Sequence, residues 1–236
     1  MVVVIAALPT IVSETRHDLL FPRGGVLVSR RALSGDSDLF PEEMSAIARA
    51  TPARMREFAL GRHCAREALA LLGGPRVAIP MGRFRDPVWP FGYVGSITHC
   101  QGFCAAAAAR NTNEQSTILG IGIDCEPAAP LPEELTGLVC SPEESAWLDT
   151  HRHEGVPWDR LFFCAKESVY KALFPATHRF LEFRDVSIEL YPESGSFEVS
   201  VPDLAAVRPQ TLIGRFAAPD GILLAAATWL EDASCR

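Results

Sequence analysis

Four residues, Cys64-Ala65-Arg66-Glu67, return one hundred residues later as Cys164-Ala165-Lys166-Glu167. Three more, Phe84-Arg85-Asp86, return at nearly the same offset as Phe183-Arg184-Asp185. The first echo falls each time on a stretch with helical character, and the second falls each time after it. Nearly equal offsets in matching context favour a duplication, which predicts an α+β fold of two similar lobes. The division falls near residue 115, giving an N-terminal lobe over 1–115 and a C-terminal lobe over 116–236. A chain of 236 residues leaves each lobe enough material for a core. A cleft between two such lobes is a natural ligand site.

The punctuation of the chain supports that mixture of helix and strand. Pro41-Glu42-Glu43 reads as a helix start, and good helix formers from 53 to 72 run into Gly73-Gly74-Pro75, a strong stop. On that helix Arg54, Arg62 and Arg66 share one face, while Met55, Phe58, Ala65, Leu69 and Leu72 recur at helical spacing. Residues 76–90 are rich in Pro and Gly and read as irregular. Residues 93–98, 103–109 and 117–126 read as strands, with 127–132 too proline-rich for regular structure. Ser141-Pro142 has the N-cap and first-turn chemistry of a new helix. Residues 158–173 read as a strong helix stopped near Pro175, and residues 186–190, 197–201, 211–216 and 222–230 as strands. The apolar residues 1–9 read as a first strand. They lack a basic flank and are too short to span a bilayer.

Charge narrows the function. A formal net charge of −7 argues against nucleic-acid binding and against attraction to an anionic membrane. Any phosphate site must therefore be a local basic cluster inside an acidic protein. The seven cysteines are Cys64, Cys100, Cys104, Cys125, Cys140, Cys164 and Cys235, an odd number with no CxxC pair. They read as reduced core thiols of a cytoplasmic protein, and their spacing supports no zinc site.

Two stretches bear on chemistry most directly. In Gly120-Ile121-Gly122-Ile123-Asp124-Cys125-Glu126, strand alternation sends Leu119, Ile121, Ile123 and Cys125 to the core. It leaves Asp124 and Glu126 together on the face of two glycines that clear space. Paired carboxylates there suit a hard cation, and they equally suit the solvated end of a half-buried strand. In the helix 158–173, Glu167 and Lys171 share a face, with Lys166 and Tyr170 beside it. An exposed ion pair would account for them, but flanking Phe162, Phe163, Val169, Leu173 and Phe174 make a buried helix, whose charges need partners. The basic face with His63 suits a phosphate or a solvated surface, and Ser96, Thr98 and His99 end a strand where phosphate oxygens can bind. The chain has no GxSxG elbow, P-loop or GxGxxG motif. From the residues alone, three activities stay open. They are Mg²⁺-dependent work on a nucleotide cofactor, Mg²⁺-dependent hydrolysis of a nucleotide diphosphate, and non-catalytic binding.

Taken together, Arg62-His63-Cys64-Ala65-Arg66, Pro87-Val88-Trp89-Pro90, Gly95-Ser96-Ile97-Thr98-His99-Cys100, Gly122-Ile123-Asp124-Cys125-Glu126-Pro127 and Phe163-Cys164-Ala165-Lys166-Glu167-Ser168-Val169-Tyr170-Lys171 resemble the 4′-phosphopantetheinyl transferases. The resemblance is to the longer two-lobed type that activates surfactin and enterobactin synthetases, and most of all to actinobacterial enzymes that prime carrier proteins. It implies the fold of that family, with the active site between the lobes. It also implies transfer of phosphopantetheine from coenzyme A to a serine of an apo acyl or peptidyl carrier protein, by a monomer. Asp124, Glu126 and Glu167 would hold Mg²⁺. Arg54, Arg62 and His63 would hold the ribose 3′-phosphate, and Thr98, His99, Lys166 and Lys171 the pyrophosphate. The segment Arg83, Arg85, Asp86 and Pro87 would line the adenine pocket, and Phe180 and Leu181 the pantetheine arm. Glu167 would take the serine proton and Lys171 would stabilise the leaving phosphate, with Asp124 completing the catalytic set.

Overall fold

A computed structural model of the chain describes residues 20–21, 24–31, 39–111, 117–202 and 210–231. The expected strand at residues 1–9 and part of the loop after Asn111 lie outside these residues, as does Cys235. The architecture is α+β, in four layers. Helix α2 (Pro52–Leu71) covers one face of a three-stranded antiparallel sheet. Its strands are β1 (Gly25–Arg30), β2 (Tyr93–Cys100) and β3 (Phe103–Arg110), in the order β1-β3-β2. A second antiparallel sheet has the order β4-β8-β7-β6-β5. It is formed by β4 (Thr117–Pro127), β5 (Ser187–Tyr191), β6 (Ser196–Ser200), β7 (Gln210–Ala217) and β8 (Ile222–Glu231). Helix α5 (Trp158–Thr177) covers its outer face, and the short α1 (Pro41–Met44), α3 (Glu133–Val139) and α4 (Pro142–His151) complete the fold. No helix among the described residues is long and apolar enough to cross a membrane.

Strand alternation explains how the layers stack. On β3, Cys104, Ala106 and Ala108 pack under α2 with Cys64, Ala65 and Leu69. The intervening Phe103, Ala105, Ala107 and Ala109 face the other sheet, meeting Ile121, Ile123 and Cys125 of β4 and Leu224 and Ala226 of β8. A strand buried on both faces reads as a continuous apolar run rather than an alternating one. The five alanines keep both neighbours close.

On β4 the alternation holds for Ile121, Ile123 and Cys125, but Leu119 departs from it. The register slips between Ile118 and Gly120, so Ile118 joins the inter-sheet core and Leu119 turns toward the α5 side. The glycines clear space for the helix and not for a ligand. A Cβ on Gly122 would overlap the Ser168 carbonyl oxygen, and one on Gly120 would overlap that of Ala172. Two glycines thus let the α5 backbone lie directly on β4, which brings Asp124 and Lys171 together.

The duplicated motif has a structural counterpart. Glu43, at the third position of α1, accepts from Phe40 N, Ile79 N and the Arg66 guanidinium. Glu144, at the third position of α4, accepts from Ser141 N, Ile188 N and the Lys166 ammonium. Each glutamate closes its own helix start and pins a later strand or loop to the central helix of its half.

Helix α5 also runs past Pro175, contrary to the expected stop, and ends at His178 in the left-handed region with φ of 51°. Phe174 carries this last turn, packing against Phe84, His178 and Phe180.

Candidate active site

Edge strands β2 and β4 lie against each other, and Thr98 joins them. Its hydroxyl accepts from Cys125 N at 3.1 Å and donates to Asp124 Oδ1 at 3.0 Å. Beside this junction is a cleft of about 260 Å³. Its walls include Arg54, Arg62, Arg85, Pro87, Thr98, His99, Asp124 and Lys171. Eight residues singled out in the sequence therefore meet in one place, drawn from α2, the loop before β2, β2, β4 and α5.

The cations of the cleft are held in distinct ways. Arg62 is almost fully buried. Its Nε donates to Ile79 O at 2.6 Å, and its guanidinium stacks on Phe58 at 4.2 Å. Burial lowers its pKa to about 10, with the Arg66 and Arg54 charges adding to the effect against Glu43. Arg85 reaches the cleft from a tight turn in which Arg85 N donates to Gly82 O and Met81 bridges Pro87. Its φ of 70° is unusual for a side chain larger than glycine. Of the two arginines in this segment, Arg85 lines the cleft, while Arg83 lies over Phe84 at 5.6 Å. Asp86 lines an adjoining hollow of about 190 Å³, together with Phe84, Tyr170 and Lys171.

Arg54 bonds to His99 Nε2 and, at 3.4 Å, to Glu57. A guanidinium can only donate, so Nε2 is the acceptor and the ring proton sits on Nδ1, facing Glu57 at 3.7 Å. Burial and then Arg54 hold the His99 pKa below the usual 6.5, against Glu57. Glu57 escaped the sequence reading. Its one signal was its place three residues beyond Arg54, which puts both on one helix face.

Of the three carboxylates expected to bind metal, Asp124 lines the cleft and Glu126 and Glu167 do not. Lys171 Nζ donates to Asp124 Oδ1 at 2.5 Å. Burial pulls the Lys171 ammonium down, but Asp124 and Glu167 more than offset this, and the net direction is upward. Glu126 pairs with Arg160 at 2.9 Å, a partner the sequence reading missed. Burial raises the pKa values of both Glu126 and Glu167. Asp124 adds to this for each, while Arg160 opposes it for Glu126 and Lys171 opposes it for Glu167. Among the described residues, no three acidic, His or Cys side chains form a ready metal cage. Lys171 and Arg160 occupy two of the three expected ligands instead. The donor set nevertheless fits a hard cation, because it is all carboxylate and Asp124 Oδ2 is buried without a hydrogen-bond partner.

Lys166 and His63 take other partners, and Glu167, Phe180 and Leu181 line another hollow. Lys166 is buried, and its ammonium donates to Val139 O, Glu144 Oε2 and Phe183 O, which uses all three of its hydrogens. It cannot also hold a pyrophosphate. His63 lies next to Arg62 on the helix but pairs with Glu67 at 3.4 Å and does not line the cleft. One residue of helix turns the side chain by about 100°. Glu167, Phe180 and Leu181 line a separate larger hollow of about 690 Å³ with Tyr170 and Leu138. Tyr170 borders both this hollow and the 190 Å³ one, and Lys171 borders both the latter and the arginine cleft.

Residues 42–109 match the sequence model of the 4′-phosphopantetheinyl transferase N-terminal domain, and residues 120–211 that of the 4′-phosphopantetheinyl transferase superfamily. The chain is 43% identical over 194 residues to 4′-phosphopantetheinyl transferase Svp of Streptomyces mobaraensis, covering 80% of this chain and 77% of that protein. It is 47% identical over 161 residues to 4′-phosphopantetheinyl transferase Npt of Nocardia iowensis, covering 68% and 70%. It is 38% identical over 194 residues to 4′-phosphopantetheinyl transferase PptT of Mycobacterium tuberculosis, covering 79% and 84%. At these identities and coverages the chain belongs to the 4′-phosphopantetheinyl transferase superfamily.

Proposed function

We propose that this chain transfers the 4′-phosphopantetheine of coenzyme A to a serine hydroxyl of an apo acyl or peptidyl carrier protein, with Mg²⁺. The observation that carries the reading is Asp124. A buried carboxylate with one unpartnered oxygen stands in the wall of a cleft lined by three arginines and a lysine. That pairing of hard oxygen donors with phosphate-binding cations suits a nucleotide diphosphate.

On this reading the nucleotide end of coenzyme A lies in the arginine cleft. Arg54 and Arg62 take the 3′-phosphate, and Arg85 lies toward the base or the diphosphate. The phosphopantetheine runs past Lys171 and Tyr170 toward the larger hollow at Phe180 and Leu181. Asp124, Glu126 and Glu167 would hold Mg²⁺, which would polarise the phosphoryl oxygens and offset their charge. The serine oxygen attacks the phosphorus that bears pantetheine, and the bond to 3′,5′-ADP breaks. Glu167 accepts the serine proton. Lys171 faces the leaving oxygen with an ammonium that Asp124 keeps charged. We assign these roles to two lobes divided near residue 115, in a protein that works in the cytoplasm as a monomer.

The test is to incubate the protein with coenzyme A, Mg²⁺ and an apo carrier protein and to weigh the carrier. Mass gain by one phosphopantetheine, abolished by EDTA or by replacing the carrier serine, supports transfer. Cleavage of the diphosphate with no carrier present, and an unchanged carrier mass, would make the protein a phosphohydrolase instead.

A further inference from the structure

The first turn of α5 holds the segment that follows β4. Residues 127–132 read Pro-Ala-Ala-Pro-Leu-Pro, and half of them have no N–H with which to make ordinary backbone bonds. Arg160 fills that need. Its Nη2 donates to Pro130 O at 2.9 Å, its Nε to Ala129 O at 3.1 Å, and its Nη1 to Glu126 Oε2 at 2.9 Å. Asp159 completes the clamp. Its Oδ2 accepts from Leu131 N at 2.9 Å, and its Oδ1 accepts from Arg160 N at 2.8 Å. Two adjacent residues thus fix one end of β4 and the loop beyond it.

We infer that Arg160 is a positioning residue that orients Glu126 as a ligand for the divalent cation. The inference rests on the proposed assignment of Asp124, Glu126 and Glu167 to that cation. The geometry favours orientation over a plain ion pair. Arg160 is anchored on two backbone carbonyls, so the guanidinium is the fixed partner and the carboxylate is set against it. Its planar fork meets three acceptors in fixed directions, a geometry that an ammonium on a flexible stem does not reproduce. The Arg160 and Glu126 side chains are only 18% and 22% exposed, so solvent competes weakly for either. A carboxylate with one oxygen tied in this way points its other oxygen in a fixed direction. Partners behind a ligand commonly contribute tenfold or more to metal affinity.

The experiment measures binding of Mn²⁺ alone, by electron paramagnetic resonance of the free ion, to the full chain and to Arg160→Met and Arg160→Lys. Coenzyme A binding is measured separately in EDTA. Orientation predicts Mn²⁺ affinity weakened by about tenfold in Arg160→Met. Arg160→Lys should not restore it, and coenzyme A affinity should stay unchanged in both. A role through charge alone predicts the opposite sign, because losing a positive charge next to a ligand tightens cation binding. Unchanged or tighter Mn²⁺ binding in both variants overturns the inference. If Arg160→Met does not fold, Arg160→Lys decides alone, since it keeps the charge and one bond, and parental affinity there overturns it. Absence of Mn²⁺ binding by the parent protein, both alone and with coenzyme A present, refutes the metal assignment itself, and this inference with it.

Discussion

Lys166 donates to Glu144 at 2.7 Å in a fully buried pair. Arg66 makes the matching bond to Glu43 at 2.8 Å, and both glutamates cap a helix start and accept from a later backbone N–H. The echo Cys64-Ala65-Arg66-Glu67 and Cys164-Ala165-Lys166-Glu167 therefore marks the clip that holds each half together. The side chain that looks most like a phosphate contact in the second copy is a structural tether.

This makes Lys166 a stability residue. Removing one partner of a buried pair costs about 3–5 kcal/mol, since the other charge is left without compensation. Lys166→Ala should therefore lower the free energy of unfolding by that amount in urea titration. Whatever fraction stays folded should bind coenzyme A with unchanged affinity. A normal unfolding midpoint with weakened coenzyme A binding would return Lys166 to the pyrophosphate.

Much of the site was legible in the sequence because it lies on regular elements. Asp124 follows from strand alternation, and Glu167 and Lys171 follow from helical spacing. Arg160 lies on the same α5 face as Glu167, seven residues earlier, but nothing local to it named Glu126 as its partner. Lys166 and His63 lie away from the cleft: a motif shows which residues are near a site, not which way each points. Burial decides that, and burial of Lys166 depends on Val139, Glu144 and Phe183, up to 27 residues away. The glycines of β4 were read as room for a ligand, since the sequence does not say that the α5 backbone would lie on them.

Arg62 and Arg54 share a cleft, and the Arg54 charge disfavours that of Arg62. An anion between them relieves that repulsion. Coenzyme A should therefore bind more tightly than its 3′-dephospho form, and Arg62→Ala should erase most of the preference. A charge-assisted phosphate contact contributes about 1.5–3 kcal/mol, so the preference should be about tenfold or more. His63→Ala should leave it intact. Calorimetric titration of both ligands against the three proteins checks this, and equal affinity of the parent for both would refute it.

Asp124 is buried and connects Thr98, Lys171 and the unpartnered oxygen. Asp124→Ala should abolish carrier modification while circular dichroism and cooperative unfolding persist. Near-parental turnover at saturating Mg²⁺ would remove Asp124 from the mechanism.

His99 is held neutral by burial and by Arg54, with a pKa below 6.5. Unfolding returns it to its ordinary value, so as pH falls the unfolded chain takes up the proton first. Stability from this group is complete above about pH 6.5 and declines below it, down to the depressed pKa of the folded state. The stability difference between the parent and His99→Gln should therefore shift against the parent as pH falls below 6.5. Urea unfolding of both proteins at several pH values measures it. A difference that stays constant with pH would mean that His99 titrates alike in both states.

The last prediction concerns how an acidic protein meets its carrier. Carrier proteins of this kind are generally acidic, and a net charge of −7 on this chain gives no long-range attraction to them. Recognition then has to rest on a local apolar surface. The stretch after β4 offers one. Of its apolar residues, Leu131 and Val139 are buried, whereas Leu135 is 41% exposed and Leu138 is 60% exposed. Both exposed leucines lie on α3, and Leu138 lines the same hollow as Glu167 and Phe180. That places an apolar surface beside the proposed proton acceptor, where the carrier serine must arrive. Neither leucine holds the core, so Leu135→Glu and Leu138→Glu should fold normally. Each should raise the KM for the carrier protein, and Leu135→Glu, which lies outside both that hollow and the arginine cleft, should leave coenzyme A binding unchanged. The added negative charge also repels an acidic carrier, so the effect should shrink in high salt. Folded variants with an unchanged carrier KM would move the docking surface away from α3.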